Sequence, residues 1–258
     1  MPTSQNRLKQ VIALGGHTLS DCREDVSLSR YVLEQVAVER PRVCFLSQAS
    51  GEDPSYLLRF YRHFHALGAR PADLSLFQPH TADVEGFLLA HDAIYVGGGN
   101  TLSMLALWRA WGLDRILRAA WEQGTLLTGV SAGAICWFEQ GLTDSIPGKL
   151  SALDCLGLLP GSCSPHYDGE AERRPSYHRM IADGEIKPGY GVDDNAALHF
   201  RGEDIAEVVT SRSCASAYLV KSGSDGVSET RLAVSNKLDL QDSCAPFSAG
   251  QDIEMELP

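Results

Sequence analysis

The chain has 258 residues, 44% of them hydrophobic and 21% charged, which is enough apolar material to bury a core without disulfides or a metal. Its formal net charge of −11 argues against nucleic acid or an anionic membrane surface as a partner. No apolar segment approaches the roughly 20 residues that a membrane-spanning helix needs.

The first half of the chain alternates short apolar runs with segments of helical period. The predicted strands are 10–16, 42–48, 73–77, 91–99 and 125–130. The predicted helices are 27–38, 54–68 and a pair within 101–124. This alternation, with strands that are apolar throughout, predicts a parallel sheet covered by helices on both faces.

After residue 140 the chain becomes rich in Gly, Pro and Ser. Short strand-like runs follow at 189–194, 196–200, 205–209, 217–220 and 230–234. The last two dozen residues are polar and have the composition of a weakly ordered tail. We predict one α/β domain over residues 1–221, followed by a C-terminal strand and a polar tail over 222–258.

The seven cysteines show neither a C-x-x-C motif nor a zinc-ligand spacing. Several lie in apolar runs, as Cys44 and Cys136 do, which is typical of reduced, buried thiols. The first residues are too polar for a secretory signal. We therefore expect a cytoplasmic protein.

Residues 129–133 read GVSAG, at the end of the apolar run 125–130. The segment AGAICWFEQ that follows Ser131 predicts a helix. Gly129 and Gly133 lack the β-carbons that would clash in a tight strand-to-helix turn. The pattern is that of a nucleophile elbow, G-x-S-x-G, which exposes the serine hydroxyl at the edge of a sheet. A serine that merely caps a helix is the alternative.

A serine hydroxyl is a poor nucleophile unless a base, itself oriented by an acid, accepts its proton. His166 lies in the loop GSCSPHYDGE after the elbow, where such a base is expected. His17 ends the glycine turn after the first strand, at the same edge of the sheet, and is a lesser candidate.

A second glycine cluster, AIYVGGGNTLSML (93–105), also joins a strand to a helix. It has neither the G-x-G-x-x-G spacing nor the Walker lysine of a nucleotide site. A tight turn is one interpretation. The other is that its N–H groups approach a substrate carbonyl beside Ser131 and supply half of an oxyanion hole.

Four motifs occur in order: YVGGGNTLSML, GVSAGAICWF, SPHYD and GYGVDDNAAL. Together they resemble the dipeptidase E family of serine peptidases, of which the cyanophycinases are relatives, over about residues 10–220. The resemblance implies a flavodoxin-like three-layer α/β sandwich with a mostly parallel central sheet. It also implies kinship with class I glutamine amidotransferases, with serine replacing their cysteine.

The resemblance also implies site residues. Ser131 would be the nucleophile, His166 the base and Asp194 the acid, with Asp193 and Asp144 as alternatives for the acid. The oxyanion donors would come from Gly98, Gly99 and Ala132, and Asn100 would help to bind substrate by shaping the site. No metal or cofactor is implied.

One segment departs from the family pattern. Aspartyl dipeptidases of this family bind the aspartate of the substrate with an arginine after the histidine motif, and neither Arg173 nor Arg174 aligns with that position. Adjacent residues cannot both face one pocket, so at most one could serve. If one of them binds substrate, Arg174 is favoured, because the ring of Pro175 restricts its backbone. The alternative is that both arginines are solvated surface charges.

The resemblance implies a serine exopeptidase that hydrolyses short peptides through an acyl-enzyme on Ser131. Because the arginine position departs from the family pattern, we expect no strong preference for aspartate. One alternative is an esterase or amidase that uses the same triad on a non-peptide acyl group. Another is a small-molecule binding module that has kept the glycine loops without turnover. We expect a short peptide as partner, with neither nucleic acid nor membrane, and leave a homodimer open.

Overall fold

The computed structural model describes residues 8–17, 19, 26–223 and 226–241. The strands are β1 (Gln10–Leu14), β2 (Arg42–Leu46), β3 (Arg70–Asp73), β4 (Ala93–Val96), β5 (Leu126–Val130), β6 (Phe138–Ile146), β7 (Lys149–Asp154), β8 (Leu159–Ser164), β9 (Gly189–Val192), β10 (Ala196–Arg201), β11 (Asp204–Arg212), β12 (Ala217–Gly223), β13 (Gly226–Arg231) and β14 (Asn236–Gln241). The helices are α1 (Ser27–Glu34), α2 (Pro54–Ala66), α3 (Val84–Leu89), α4 (Thr101–Trp111), α5 (Leu113–Glu122), α6 (Ala132–Ile135) and α7 (Arg173–Ala182).

The larger sheet has the strand order β14-β11-β10-β1-β5-β4-β2-β3. Its core of β1, β5, β4, β2 and β3 is parallel throughout, and β10 joins β1 antiparallel. The predicted parallel sheet is therefore confirmed, within a mixed α/β fold. Because these strands are parallel, their carboxyl ends meet at one edge of the sheet, where ligands bind in open α/β folds.

Alternate residues of the parallel strands enter cores on opposite faces of this sheet. Val11 and Ala13 of β1 belong to the core that contains Trp108 of α4. Ile12 and Leu14 belong to the other core, which contains Phe60 and Phe64 of α2. Helices thus cover both faces, as the apolar strands predict, because a strand buried on both sides needs an apolar partner on each.

A second sheet, which the sequence analysis did not predict, has the order β13-β12-β9-β8-β6-β7. The predicted long helix after Ser131 is wrong, since α6 ends at Ile135 and β6 begins at Phe138. Trp137 and Phe138 are fully buried, and β6 pairs with β7 and β8. Tertiary burial and strand pairing override the helical tendency of the segment.

The predicted strand at 73–77 is displaced, because β3 ends at Asp73. Leu74 N still donates to Phe45 O of β2 at 3.1 Å, but the next partners are side chains: Gln48 Nε2 donates to Leu74 O at 2.6 Å, and Leu76 N donates to Glu52 Oε1 at 2.7 Å. Leu74 and Leu76 are still buried, which explains the apolar pattern.

Two predictions near the C-terminus also change. The strand predicted at 230–234 is β13, which ends at Arg231 and forms a hairpin with β12. Asn236–Gln241, within the predicted tail, is β14 and pairs with β11 at the edge of the larger sheet. Residues 242–258 lie outside the described residues.

No helix in the described part of the chain is long and apolar enough to cross a membrane. Cys44, Cys136 and Cys163 are buried free thiols, and burial raises the pKa of each. The predicted burial of the cysteine thiols is confirmed at these three positions.

Candidate active site

The carboxyl end of β1 ties together three segments that are distant in sequence. Three backbone N–H groups donate to three consecutive carbonyl oxygens there: Ser131 to Leu14 at 3.2 Å, His166 to Gly15 at 3.2 Å and Asn195 to Gly16 at 2.7 Å. Successive carbonyls in an extended chain are only a few ångströms apart. Ser131, His166 and Asp194 therefore lie at one point on the edge of the larger sheet.

Ser131 occupies a sharp turn between β5 and α6, with φ of 57° and ψ of −112°. A β-carbon on Gly129 would lie 2.6 Å from Gly133 O, and one on Gly133 would overlap Val96 O. The two glycines therefore allow the strand, the turn and the neighbouring β4 to pack closely. This is the geometry that a nucleophile elbow requires.

His166 and Asp194 form a hydrogen-bonded pair, with 2.7 Å between His166 Nδ1 and Asp194 Oδ1. Each side chain is 26% exposed, so the pair stands at the surface of the site and not in the core. When Nδ1 carries the proton that it shares with the carboxylate, Nε2 is left as the proton acceptor.

Gly16 makes this pairing sterically feasible, a role that the sequence analysis did not assign. A β-carbon at Gly16 would overlap Asp194 Oδ1 and lie 2.7 Å from His166 Nδ1. Gly169 closes the other side, where a β-carbon would overlap Asp194 Oδ2. The double glycine directly after a buried strand, at a sheet edge where ligands bind, was the available signal.

Unusual backbone conformations concentrate at this edge. Of the five non-glycine residues with positive φ in the described ranges, three are Ser131, His166 and Asn195. Such conformations cost of order 1–3 kcal/mol each and persist where surrounding structure enforces them, most often at functional sites. All three segments that meet at β1 are held in this way.

The other acids considered for the site make different contacts. Asp193 is 2% exposed, and its Oδ2 accepts from Ser216 N at 2.9 Å and Tyr218 Oη at 3.3 Å. Asp144 is 64% exposed and pairs with Arg173 at 3.4 Å. Asp194 is thus the acid that lies against His166.

His17, the lesser candidate for the base, lies toward the helices on one face of the sheet. Its Nε2 is 3.3 Å from Ser29 Oγ, and its ring meets that of His63 edge-on at 6.4 Å. His17 therefore contacts α1 and α2, whereas His166 contacts Asp194.

The loop after β4 runs directly against the serine. A β-carbon on Gly98 would lie 3.4 Å from Ser131 Cβ and 3.9 Å from its Oγ. Gly98 N donates to the hydroxyl of Tyr56 at 3.3 Å. The sequence analysis missed this contact because Tyr56 lies 42 residues earlier in the chain, on α2. Ala132 begins α6, and the first N–H groups of a helix have no partner within it.

Asn100 shapes this loop through contacts with its neighbours. Its side-chain oxygen caps α4 by accepting from Ser103 N at 2.9 Å, and its Nδ2 donates to Ser145 O at 2.8 Å. Both ends of the amide are therefore engaged within the protein, which fits a shaping role.

The two arginines after the histidine motif both have acidic partners. Arg174 is paired with Glu229 of β13 and stacks over Tyr167 and Tyr218, with ring-centroid distances of 5.3 and 4.8 Å. Arg173 is buried and contacts Glu170, Asp144 and Leu142 O. The expectation that the two point in different directions is confirmed.

No group of three or more His, Cys, Asp or Glu side chains in the described ranges is arranged to hold a metal ion. The groups that the structure brings together at this edge are a serine, an imidazole–carboxylate pair and the backbone N–H groups around them.

Comparison with known proteins identifies the family. The sequence profile of peptidase family S51 matches residues 11–208. An uncharacterized peptidase of Bacillus subtilis, YgaJ, is 49% identical over 227 residues, which is 88% of this chain and 98% of that protein. Peptidase E of Shewanella amazonensis is 28% identical over 149 residues, 54% of this chain and 63% of that protein.

A solved structure shows the same fold. The crystal structure of a peptidase from an acI-B1 actinobacterium superposes with a TM-score of 0.68 at 16% identity, covering 91% of this chain and 98% of that chain. The family match spans most of the chain, and YgaJ aligns over nearly its whole length. The chain belongs to peptidase family S51 and is a serine peptidase.

Proposed function

We propose that this serine peptidase is an exopeptidase of the dipeptidase E type that hydrolyses short peptides through an acyl-enzyme on Ser131. The observation that carries the proposal is the attachment of the Ser131, His166 and Asp194 segments to three consecutive carbonyls at the end of β1. Nucleophile, base and acid are the three groups that covalent peptide hydrolysis needs.

Asp194 accepts the Nδ1 proton of His166, which fixes the imidazole tautomer and leaves Nε2 to take the proton of Ser131 Oγ. The serine oxygen attacks the scissile carbonyl carbon, and the imidazolium then protonates the leaving amine. Water hydrolyses the acyl-enzyme by the same steps, with His166 again acting as base.

Backbone N–H groups stabilise the oxyanion of each tetrahedral intermediate. Ala132 follows Ser131 at the start of α6, and Gly99 is the neighbour of Gly98, whose α-carbon faces Ser131 from the loop after β4. Gly98 N donates to Tyr56 Oη, so it serves as a third donor only if substrate displaces that contact. Removing one such donor from a serine peptidase costs on the order of 10²–10³ in turnover.

The arginine contacts support broad specificity without a strong preference for aspartate. A substrate carboxylate needs a charged partner at its binding site, ideally an arginine that is free to form two hydrogen bonds. Glu229 already occupies the guanidinium of Arg174, and Glu170 that of Arg173. Recruiting either arginine to substrate would break an existing ion pair.

The proposed architecture and cellular location rest on the sheet topology, the net charge and the burial of the thiols. The parallel core of the larger sheet, with helices on both faces, supports a flavodoxin-like, amidotransferase-like architecture for the catalytic domain. The strands β13 and β14, which lie beyond the predicted limit at residue 221, are members of its two sheets. The acidic charge and buried thiols support a cytoplasmic enzyme that acts on small peptides and has neither nucleic acid nor membrane as a partner.

Replacing the nucleophile tests the mechanism. Ser131→Ala should lower kcat on Ala-Leu by on the order of 10⁶ and prevent labelling by a fluorophosphonate probe, with circular dichroism unchanged. Ser103→Ala, which removes an exposed hydroxyl near the same loop, should leave both labelling and turnover intact. A Ser131→Ala enzyme that keeps more than a few per cent of activity contradicts the assignment.

The same assay tests specificity. We expect similar kcat/KM for Asp-Leu and Ala-Leu in the wild type, and little change of their ratio in Arg174→Ala, with Arg179→Ala on the same helix as control. A wild-type preference for Asp-Leu above about 100-fold, roughly 2.7 kcal/mol, that Arg174→Ala abolishes would overturn the proposed specificity.

A further inference from the structure

The backbone of Asp194 is held on both sides by one pair of charged side chains. Asp194 N donates to Asp168 Oδ1 at 2.9 Å, and Asp194 O accepts from Arg212 Nη2 at 3.2 Å. Arg212 Nη2 also donates to Asp168 Oδ2, which closes a ring of hydrogen bonds around this one residue.

The two members of the Asp168–Arg212 pair come from different parts of the fold. Asp168 lies two residues after His166, and Arg212 ends β11 of the larger sheet. The pair therefore links the loop that carries the imidazole, the segment that carries the acid, and the sheet against which both rest.

Partial burial strengthens these contacts relative to a surface ion pair. The side chain of Arg212 is 12% exposed and that of Asp168 31%. Burial by itself lowers the pKa of Arg212, but the charge and hydrogen bond of Asp168 offset this effect and raise the pKa. Arg212 is therefore a permanent cation beside the Asp194 carbonyl, and charge-assisted hydrogen bonds are the stronger kind.

The carboxylate of Asp194 has little room to adjust if its backbone moves. Its two oxygens pack against the backbone at Gly16 and Gly169, where even an added β-carbon would overlap them. The next residue, Asn195, has φ of 63°, a conformation that neighbouring contacts must maintain. A shift of the 193–195 backbone would therefore act directly on the 2.7 Å bond to His166.

We propose that Asp168 and Arg212 are positioning residues that orient Asp194 toward His166 by fixing both polar groups of its backbone. The inference rests on the proposed function, in which Asp194 orients the catalytic imidazole. Asp168 and Arg212 act through Asp194, so their removal should lower kcat and leave KM for a peptide nearly unchanged.

The first test measures kcat and KM for Ala-Leu in Asp168→Asn and Arg212→Met. Displacement of a catalytic group by about 1 Å can cost 10²-fold, so we expect kcat to fall roughly 10- to 100-fold, with KM within about twofold. Arg212→Lys retains a cation that can reach Asp168 and should restore most of kcat. Arg201→Met, which breaks the Arg201–Glu207 pair near the other end of β11, is the matched control and should keep wild-type kcat.

The second test repeats Asp168→Asn in an Asp194→Ala background. Without the Asp194 carboxylate, Asp168 has no catalytic group to position. Adding Asp168→Asn to Asp194→Ala should therefore change kcat by less than about twofold. An equal fall of kcat in both backgrounds, or a rise of KM at constant kcat, overturns the positioning role and leaves the proposed function intact. Wild-type turnover in Asp194→Ala itself contradicts the proposed acid and, with it, the positioning role.

A spectroscopic signature separates positioning from general destabilisation. In the folded wild type, the proton between His166 Nδ1 and Asp194 should give a far-downfield ¹H NMR signal, which Asp168→Asn and Arg212→Met should weaken or shift and Arg201→Met should not. If Asp168→Asn fails to fold, the same NMR signal is compared between Arg212→Lys, which should keep it, and Arg212→Met, which should weaken or shift it. An unchanged signal in folded Arg212→Met overturns the inference.

Discussion

Gly16 lies closer to the His166–Asp194 pair than a residue with a side chain could. The carbonyl of Gly16 also accepts a hydrogen bond from Asn195 N at 2.7 Å. A shift of Gly16 away from the pair would therefore break this bond, which holds the segment that carries Asp194. Its value is therefore steric: the absence of a β-carbon is what lets imidazole and carboxylate meet above the end of β1.

Gly16→Ala should thus disrupt the pair while leaving the distant fold in place. We expect kcat/KM to fall by at least about 100-fold, because the new methyl group overlaps Asp194 Oδ1 and displaces the catalytic groups. Steady-state kinetics together with the melting temperature check this. Gly223→Ala, whose β-carbon meets only Gly226 O at 3.5 Å, is the control. Wild-type kinetics in Gly16→Ala would contradict the steric role.

Asp193 is a buried carboxyl directly beside the proposed acid. Its Oδ1 has no hydrogen-bond partner among the described residues. Burial, together with the nearby Asp168 carboxylate, raises the pKa of Asp193 to about 7, against the lowering effects of Ser216 N–H, Arg212 and Tyr218 Oη. The folded protein therefore binds a proton that the unfolded chain releases near pH 4.

The sign of the resulting pH dependence follows from this difference. Between about pH 4 and 7 the folded state holds more protons than the unfolded state, so the stability contributed by this group falls as pH rises and is constant above pH 7. From pH 5 to 8 the wild type should lose about 2–3 kcal/mol relative to Asp193→Asn. Urea unfolding of both proteins at the two pH values measures this, and parallel changes would refute it.

Among the elements, the loop from β4 to α4 is joined to two of its neighbours by one amide side chain. Asn100 caps α4, and it also joins that helix to β6 through Ser145. We expect the cap to serve stability and the link to β6 to help hold the glycine loop against Ser131. These two contributions can be separated, because another helix has a comparable cap far from the site.

Asn100→Ala should therefore lower both stability and activity. Loss of an N-cap costs about 1 kcal/mol, and a loosened glycine loop should reduce kcat by roughly 10-fold or more. Asp83→Ala removes the N-cap of α3, where Asp83 Oδ1 accepts from Gly86 N at 2.8 Å, and should cost similar stability at unchanged kcat. Equal kcat in the two variants would show that Asn100 is only a cap.

At the level of the whole molecule, the candidate site lies where the two sheets meet. Ser131 follows β5 of the larger sheet, whereas His166 and Asp194 follow β8 and β9 of the smaller one. Neither sheet carries the full set, so the constellation exists only while the sheets remain docked through the end of β1.

Hydrogen exchange can test this dependence. The amides of Ser131, His166 and Asn195, which bond to Leu14, Gly15 and Gly16, should exchange with opening free energies within about 1 kcal/mol of one another, as members of one cooperative unit. Mass spectrometry or NMR at native pH measures these values. Much faster exchange at His166 and Asn195 than at Ser131 would mean that the smaller sheet opens on its own.

The sequence by itself determined the parallel strands β1, β2, β4 and β5, the helices α1, α2, α4 and α5, and the placement of Ser131 at the end of β5. These features depend on apolar periodicity and on glycines a few residues apart, so local sequence is enough to predict them. The four ordered motifs also pointed to the serine peptidase family that the comparisons show.

Only the tertiary structure decided which carboxylate meets His166, what Gly16 permits, and that Arg174 is paired with Glu229. Asp193 and Asp194 are neighbours in one motif, yet one faces β12 and the other faces an imidazole 28 residues away. Glu229 lies 55 residues from Arg174, on a strand of a sheet that the sequence did not predict. Contacts of this kind depend on how whole elements pack together, and a short stretch of sequence does not contain that information.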